Sequence, residues 1–290
     1  MSDFADFKRK SRSSSNLDEL SKKIQATSEK KSYKDDRFWR PELDKASNGY
    51  AVIRFLPAPP NEELPWAKLY THGFQAKGGW FIENSRTTFG EKDPVSEMNS
   101  ELWNSGIESD KDIARARKRK LQYISNILVI SDPANPQNEG KIFLYKFGKK
   151  IFDKIQEAME PEFADEKAVN PFDLWGGANF KLKVRKISGF INYDKSEFDS
   201  PSELFDGDDV QLEELWKKQY SLTAFTDPSN FKSYDELKQR LMEVVGDDIR
   251  SNEGTSAPTI QETSETLESK SESVAEETDA LDYFERLAKD

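Results

Sequence analysis

Five cations fall within six residues at Arg115-Ala-Arg-Lys-Arg-Lys120, and the run leads straight into an aromatic-studded segment between Leu121 and Phe152. Arg115, Arg117, Lys118, Arg119 and Lys120 adjoin Tyr123; a second basic set, Lys146, Lys149 and Lys150, follows Tyr145. Cations beside rings suit a ligand that is both a polyanion and a series of flat rings, and single-stranded nucleic acid has both properties. A run of like charge is more commonly a solvated face, so the interleaved aromatics carry this reading. Strand alternation through Phe143-Leu-Tyr-Lys-Phe147 sets Phe143, Tyr145 and Phe147 on one face. Such a face is usually core. Only the tyrosine beside lysines, whose hydroxyl can stay wet while its ring stacks, is assigned to the ligand. Phe190 and Tyr193 lie in the glycine-containing stretch Ser188-Gly-Phe-Ile-Asn-Tyr193. Read as a loop, it holds rings that core packing explains less well than base stacking does.

Lys-Arg-Lys occurs a second time at Lys8-Arg9-Lys10, in a serine-rich stretch that continues Ser11 and Ser13-Ser-Ser15. Beyond it Leu17, Leu20 and Ile24 recur at helical spacing, with Asn16 as a candidate N-cap and Glu19 three residues on. A helix this short cannot stand alone. It either docks on something or is a solubilising terminus. At the other end, residues 246–290 hold thirteen Asp and Glu against four Lys and Arg, a net of −9 out of the chain's −11. The overall acidity therefore does not exclude an anionic ligand for the rest of the chain. The same segment is Ser/Thr/Glu-rich and lacks an apolar period, which predicts disorder. Its end differs: Leu281, Phe284 and Leu287 recur at helical spacing, behind acids and ahead of Arg286 and Lys289, an order that suits a helix dipole. That pattern reads as a partner-docking motif or as an incidental end.

Between these flanks the elements are strands with scattered helices. Tyr50 to Leu56, Ala67 to His72, Trp80 to Ile82, Tyr123 to Ile130, Lys141 to Phe147 and Asn179 to Ile187 read as strands. Lys149 to Met159, Leu212 to about Tyr220 and Tyr234 to Val245 read as helices, the last started by Ser233 and Asp235. Residues 84–122 are polar and are expected to be irregular, an inserted basic subdomain. Mainly β with added helices points to a small barrel rather than a parallel α/β sheet. A five-stranded Greek-key OB-fold fits best, because its open face and loops bind oligonucleotides. The expected organisation is a basic arm over 1–34, a core over 35–245 and an acidic tail over 246–290.

Several chemistries are excluded or disfavoured. The chain has no cysteine, so no disulfide or thiolate metal site exists. Its one histidine, His72, excludes a multi-histidine cage and leaves little general-base capacity. Asp206-Gly-Asp-Asp209 offers carboxylates for a metal-dependent nuclease, but Asp-Gly pairs are turn formers, and no phosphate-cradling Gly-Lys-Ser/Thr loop is present. The chain is read as a binding protein and not an enzyme; a nuclease, or an RNA-binding regulator using the same cleft, is the alternative. The N-terminus lacks the pattern of a signal peptide, and the longest aliphatic stretch, Ile127-Leu-Val-Ile130, is too short to span a bilayer. No membrane association is expected.

Six strings in order carry a resemblance: Ala51-Val-Ile-Arg-Phe-Leu-Pro57, Ser125-Asn-Ile-Leu-Val129, Asn138-Glu-Gly-Lys141, Phe147-Gly-Lys-Lys-Ile151, Gly177-Ala-Asn-Phe180, and Ser188-Gly-Phe190 with Asn192-Tyr-Asp194. From Phe7 to about Val245 the chain resembles the helix-destabilising, single-stranded DNA-binding proteins of T-even-type bacteriophages. The resemblance implies an OB-fold core and a role in phage DNA replication, recombination and repair in the cytoplasm of the infected bacterial host. It implies cooperative self-association through the arm at Lys8, Arg9, Lys10, Ser11, Leu17 and Leu20. It further implies recruitment of replication and recombination proteins by the acidic tail, where Leu281, Phe284 and Leu287 would dock. DNA contacts would fall on Arg54, Tyr123, Tyr145, Lys146, Phe190 and Tyr193, with Trp103 at a family tyrosine position. Lys146 stands for an arginine, which keeps charge but loses the planar fork. That family holds a zinc through one histidine and three cysteines. Here His72 matches the histidine, while Ser85, Val95 and Met98 stand at the cysteine positions and cannot supply a tetrahedral zinc set. The expectation is no metal and no cofactor, with the 78–110 region held by Trp80, Phe81, Phe89, Val95, Met98 and Trp103.

Overall fold

The computed structural model describes residues 35–163 and 165–246. In chain order they form β1 (Phe38–Trp39), β2 (Gly49–Phe55), β3 (Ala67–Ala76), β4 (Gly79–Asn84), α1 (Pro94–Asn104), α2 (Glu108–Ala116), β5 (Lys120–Ser131), β6 (Ile142–Phe147), α3 (Lys149–Met159), β7 (Ala178–Ile187), β8 (Phe190–Asn192), β9 (Glu197–Pro201), α4 (Asp209–Lys217) and α5 (Tyr234–Val245). The arm and tail calls, Lys8, Arg9, Lys10, Ser11, Leu17 and Leu20 with Leu281, Phe284 and Leu287, lie outside the described residues.

Period-two patterning builds the sheet. In β7, Ala178, Phe180, Leu182 and Val184 are buried and alternate with more exposed residues. Among the latter, Lys181, Lys183 and Arg185 pair with Asp199, Glu197 and Asp194. The strands join in the order β1-β6-β5-β2-β7-β8, with β3 on β5, β4 on β3 and β9 on β7. Only β1 and β6 run parallel among the described pairs, so this is an open mixed sheet. Strand β5 is its spine. Its first half pairs with β3 and its second half with β2, while β6 lies along the other edge. One long strand thus ties the basic run at its start to the core at its end.

The main core gathers Ile53 and Phe55 of β2, Ile127 and Val129 of β5, Phe180 and Leu182 of β7, and Ile151 and Ile155 of α3. Fully burying a side chain of this size contributes about 1.5–3 kcal/mol. A second cluster joins Phe74, Phe81 and Val95 to Leu237, Leu241, Val244 and Val245 of α5. Ser233 and Glu236 close a capping box at the start of α5. Near its end Gly78 donates its N–H to the Val244 carbonyl at 2.7 Å. No helix among the described residues is long and apolar enough to cross a membrane.

Three expectations are corrected. Residues 84–122 are not irregular: a 3-10 turn at Arg86–Phe89 and the helices α1 and α2 fill most of the segment. The missed signal was Asp93-Pro94, a capping aspartate before a proline at the first helical position. The Ser188–Tyr193 loop is instead the β7–β8 hairpin, turned at Ser188 and Gly189 with φ of 52° and 90°. Lastly, α4 starts at Asp209 rather than Leu212, because the Asp208 side chain accepts from the Val210 and Gln211 amides. The carboxylate offered to a nuclease reading is thereby used as a cap.

Candidate nucleic-acid interface

The basic run leaves the last turn of α2 and enters β5 at Lys120. Each arginine in it touches a ring. The Arg115 guanidinium lies 5.3 Å from the Trp103 ring centre, that of Arg117 5.5 Å from Phe74, and that of Arg119 4.4 Å from Tyr70. Cation–π contact of this kind fixes a guanidinium without neutralising it. Lys118 and Arg119 are exposed, and Arg117 and Lys120 half-buried. Arg115 is different: Glu108 and Asp112 accept from it at 3.0 and 2.5 Å, and these two hydrogen bonds hold its pKa above the ordinary value.

Tyr123 opens an aromatic cluster on the same strand. Its ring lies against Phe152 at 3.9 Å with the planes 4° apart, and against Phe147 at 5.8 Å. Burial, and then the neighbouring Tyr70 and Asp153, push its hydroxyl pKa up. Tyr145 stacks on Phe147 and meets Trp39 edge-on. The structure therefore brings Tyr123, Tyr145 and Tyr193 into one cluster, all three buried. Alternation sends Lys146 out of that face, where its ammonium lies 5.3 Å from the Phe38 ring. Phe190, 41% exposed at the hairpin tip, and Trp103, 47% exposed on α1, offer ring area to solvent.

Arg54 is placed elsewhere. It is fully buried, and one guanidinium nitrogen donates to the carbonyls of Asp173 and Ser202 at 2.9 Å each. Gly177 permits this: a Cβ there would come 2.3 Å from the Asp173 carbonyl oxygen and 2.9 Å from Arg54 Nη2. Sequence reasoning missed Tyr70. It sits beside Leu121 on β3, diagonal to Tyr123, with Arg119 over its ring and the Lys68 ammonium 5.9 Å from its centre. The signal was available in the Lys-Leu-Tyr spacing of β3, which sets Lys68 and Tyr70 on one face.

The position at which the resemblance implies zinc was tested on its donors. His72 is buried, and its Nε2 lies 2.9 Å from Asp93 Oδ1; Ser85 Oγ donates to Asp93 Oδ2 at 2.9 Å. Burial would raise the Asp93 pKa, but the hydrogen bond and charge of His72, with donors from Ser96 and Ser85, hold it well below the usual carboxylate range. Val95 is in the second apolar cluster, with Met98 packed against it. Among the described residues no group of three or more His, Cys, Asp or Glu converges. An alcohol, a valine and a thioether beside one histidine do not fit tetrahedral zinc. The expected apolar set is also corrected. Phe81 and Val95 are core, but Trp103 is exposed, and Phe89 packs on Phe231 at 4.6 Å. Helix α5, not Trp80 or Trp103, completes the cluster.

Residues 47–245 match the family described as gp32 DNA binding protein like. The single-stranded DNA-binding protein of Enterobacteria phage T4 is 39% identical over 267 residues, 89% of this chain and 84% of the relative. Its counterpart in Enterobacteria phage T2 is 42% identical over 221 residues, 74% of this chain and 72% of the relative. That of Enterobacteria phage RB70 is 42% identical over 94 residues, 32% of this chain and 79% of the relative. The chain belongs to the gp32-like family of DNA-binding proteins.

Proposed function

We propose that this chain binds single-stranded DNA largely without regard to sequence, as a binding protein and not an enzyme. One observation carries the reading: the basic run feeds directly into the strand that bears Tyr123, so phosphate-seeking cations and rings share one end of β5. Lys118, Arg119 and Lys120 track phosphates, with Arg117 and Lys146 beside them. Bases stack first on Trp103 and Phe190, whose rings already offer area, and then on half-buried Tyr70 beside Arg119. Tyr123, Tyr145 and Tyr193 form the floor behind them and engage by their edges. Stacking at about 1–3 kcal/mol per base accepts any base, and a duplex does not offer splayed bases.

The finer reading follows the family resemblance. Strands β2, β3, β5, β6 and β7 form an OB-type core. The basic arm, through Lys8, Arg9, Lys10, Ser11, Leu17 and Leu20, associates with a neighbouring copy on the same strand. The acidic tail recruits replication and recombination proteins through Leu281, Phe284 and Leu287, in the host cytoplasm. Deleting residues 1–24 then abolishes clustering on long strands and leaves affinity for a short oligonucleotide unchanged. No cofactor enters this scheme. The test is a titration of poly(dT) against duplex at several salt concentrations. Preference for poly(dT), with log K falling by about 0.7 per engaged cation against log salt, supports the reading; equal affinity for the duplex refutes it.

A further inference from the structure

The resemblance implies a metal that would join four points of the chain: His72 on β3, residue 85, and residues 95 and 98 at the start of α1. Those points are joined here, by other means. Asp93 accepts five hydrogen bonds: from His72 at 2.9 Å, from Ser85 Oγ at 2.9 Å, from the Arg86 amide at 3.1 Å, and from the Val95 and Ser96 amides at 3.1 and 3.0 Å. One carboxylate thus reaches β3, the 85–86 turn and the N-terminus of α1. It is buried, and donors in this number are ample to keep a buried carboxylate charged. The remaining two points, Val95 and Met98, are taken into the apolar cluster closed by α5.

The consequence reaches the proposed DNA-binding surface. From the next turn of α1, Asn99 Nδ2 donates to the Arg117 carbonyl at 2.9 Å, and Arg117 Nη1 lies 4.0 Å from the Met98 sulfur. The Arg117 guanidinium also lies over Phe74 of β3. Arg117 is therefore held to both elements that Asp93 ties together, and Lys118 to Lys120 follow it directly.

We infer that the Asp93 carboxylate, joined to His72 and Ser85, replaces a metal ion as the staple between β3 and α1, and that it positions the basic run for single-stranded DNA. Asp93 is a positioning residue and touches no ligand. This inference rests on the single-stranded DNA reading, and its test separates the two. For the full chain, zinc content by atomic spectroscopy and thermal melting with and without EDTA address the metal. No stoichiometric zinc and an unshifted Tm are expected; one zinc per chain, or a Tm lowered by EDTA, overturns the inference. For positioning, Asp93→Ala is titrated with oligo(dT) over a range of salt, beside Ile155→Ala, which weakens the other core. Asp93→Ala is expected to lose about tenfold in affinity and to flatten the salt slope by about 1.4–2.1, the share of two or three phosphate contacts. Ile155→Ala keeps the wild-type slope. Ser85→Ala, which removes one of the five donors to Asp93 together with the side-chain cap of the 86–89 turn, gives a smaller change of the same sign and serves where Asp93→Ala does not fold. Wild-type slopes in both Asp93→Ala and Ser85→Ala sink the positioning role. Failure of the wild-type chain to bind oligo(dT) sinks the functional reading instead.

Discussion

The Tyr123 ring lies flat on the Phe152 ring, centres 3.9 Å apart and planes 4° from parallel. Tyr123 comes from β5 and Phe152 from the first turns of α3, so one stacked pair fixes the helix against the strand that begins with the basic run. Phe152 in turn meets Trp66 edge-on at 5.3 Å, and Trp66 lies 5.4 Å from Phe172. The aromatic floor behind the cations is thus a packed object with its own geometry. Aromatic pairs of this kind contribute about 0.5–1.5 kcal/mol beyond their buried area.

Phe152→Ala tests that role. Removing the ring leaves one face of Tyr123 without its partner and opens space under α3. We expect a loss of about 2–4 kcal/mol in unfolding free energy, read from urea denaturation. Affinity for oligo(dT) falls as well, because the floor is no longer held flat. Phe152→Leu, which keeps most of the apolar volume but not the ring, recovers part of the stability. A Phe152→Ala protein as stable as wild type would mean that the stack is incidental.

Charge and ring contributions separate by their salt dependence. Arg119→Ala removes a cation that lies over Tyr70, and we expect log K against log salt to flatten by about 0.7. Phe190→Ala removes an exposed ring and no charge. Its affinity should drop by about 1–3 kcal/mol at every salt concentration, with the slope kept. Tyr70→Ala should behave like Phe190→Ala. The reverse assignment, a slope change for Phe190 and none for Arg119, contradicts the division of labour.

Most strands, helices α3 and α5 and the basic run were legible in the sequence because alternation, caps and charge are local properties; α1 and α2 were missed, although the Asp93-Pro94 cap that starts α1 is just as local. The span of α3 and that of α5 were read to the residue. The remaining differences were set by partners distant in the chain. Tyr193 reads as a loop aromatic until β8 folds back on β7 and carries it into the core. His72 reads as an ordinary strand residue until Asp93, twenty-one positions on, turns back to meet it. The second apolar cluster was expected from residues 78–110 alone, yet half of it comes from α5, more than a hundred residues away. A neighbour supplied from that distance leaves no periodic mark.

Arg54 and Gly177 form a test of contact against structure. Arg54 is buried among the Asp173 and Ser202 carbonyls, and Gly177 leaves the room that its guanidinium needs. Arg54→Ala strands those acceptors in the interior, at about 1–3 kcal/mol for each left unmet. Gly177→Ala forces a Cβ against backbone and should destabilise comparably. We expect both variants to lower Tm, with the salt slope for oligo(dT) unchanged for the fraction still folded. A flattened slope in Arg54→Ala with wild-type Tm would return this arginine to the phosphate path.

Arg115 stands at the head of the basic run but is engaged by Glu108 and Asp112 on its own helix, and its guanidinium covers the exposed Trp103 ring. Two carboxylates on one guanidinium cancel its attraction for a phosphate at close range and repel the strand beyond it. Glu108→Gln with Asp112→Asn keeps both side-chain shapes and removes both charges. We expect tighter oligo(dT) binding at low salt and a salt slope steeper by about 0.7, as one further cation becomes available. The gain should fade as salt rises, because exposed charges are screened beyond roughly 8 Å at physiological ionic strength. Adding Arg115→Ala to the double variant should abolish the extra slope. If the slope stays steep without Arg115, the two carboxylates act on the whole run and not through this arginine.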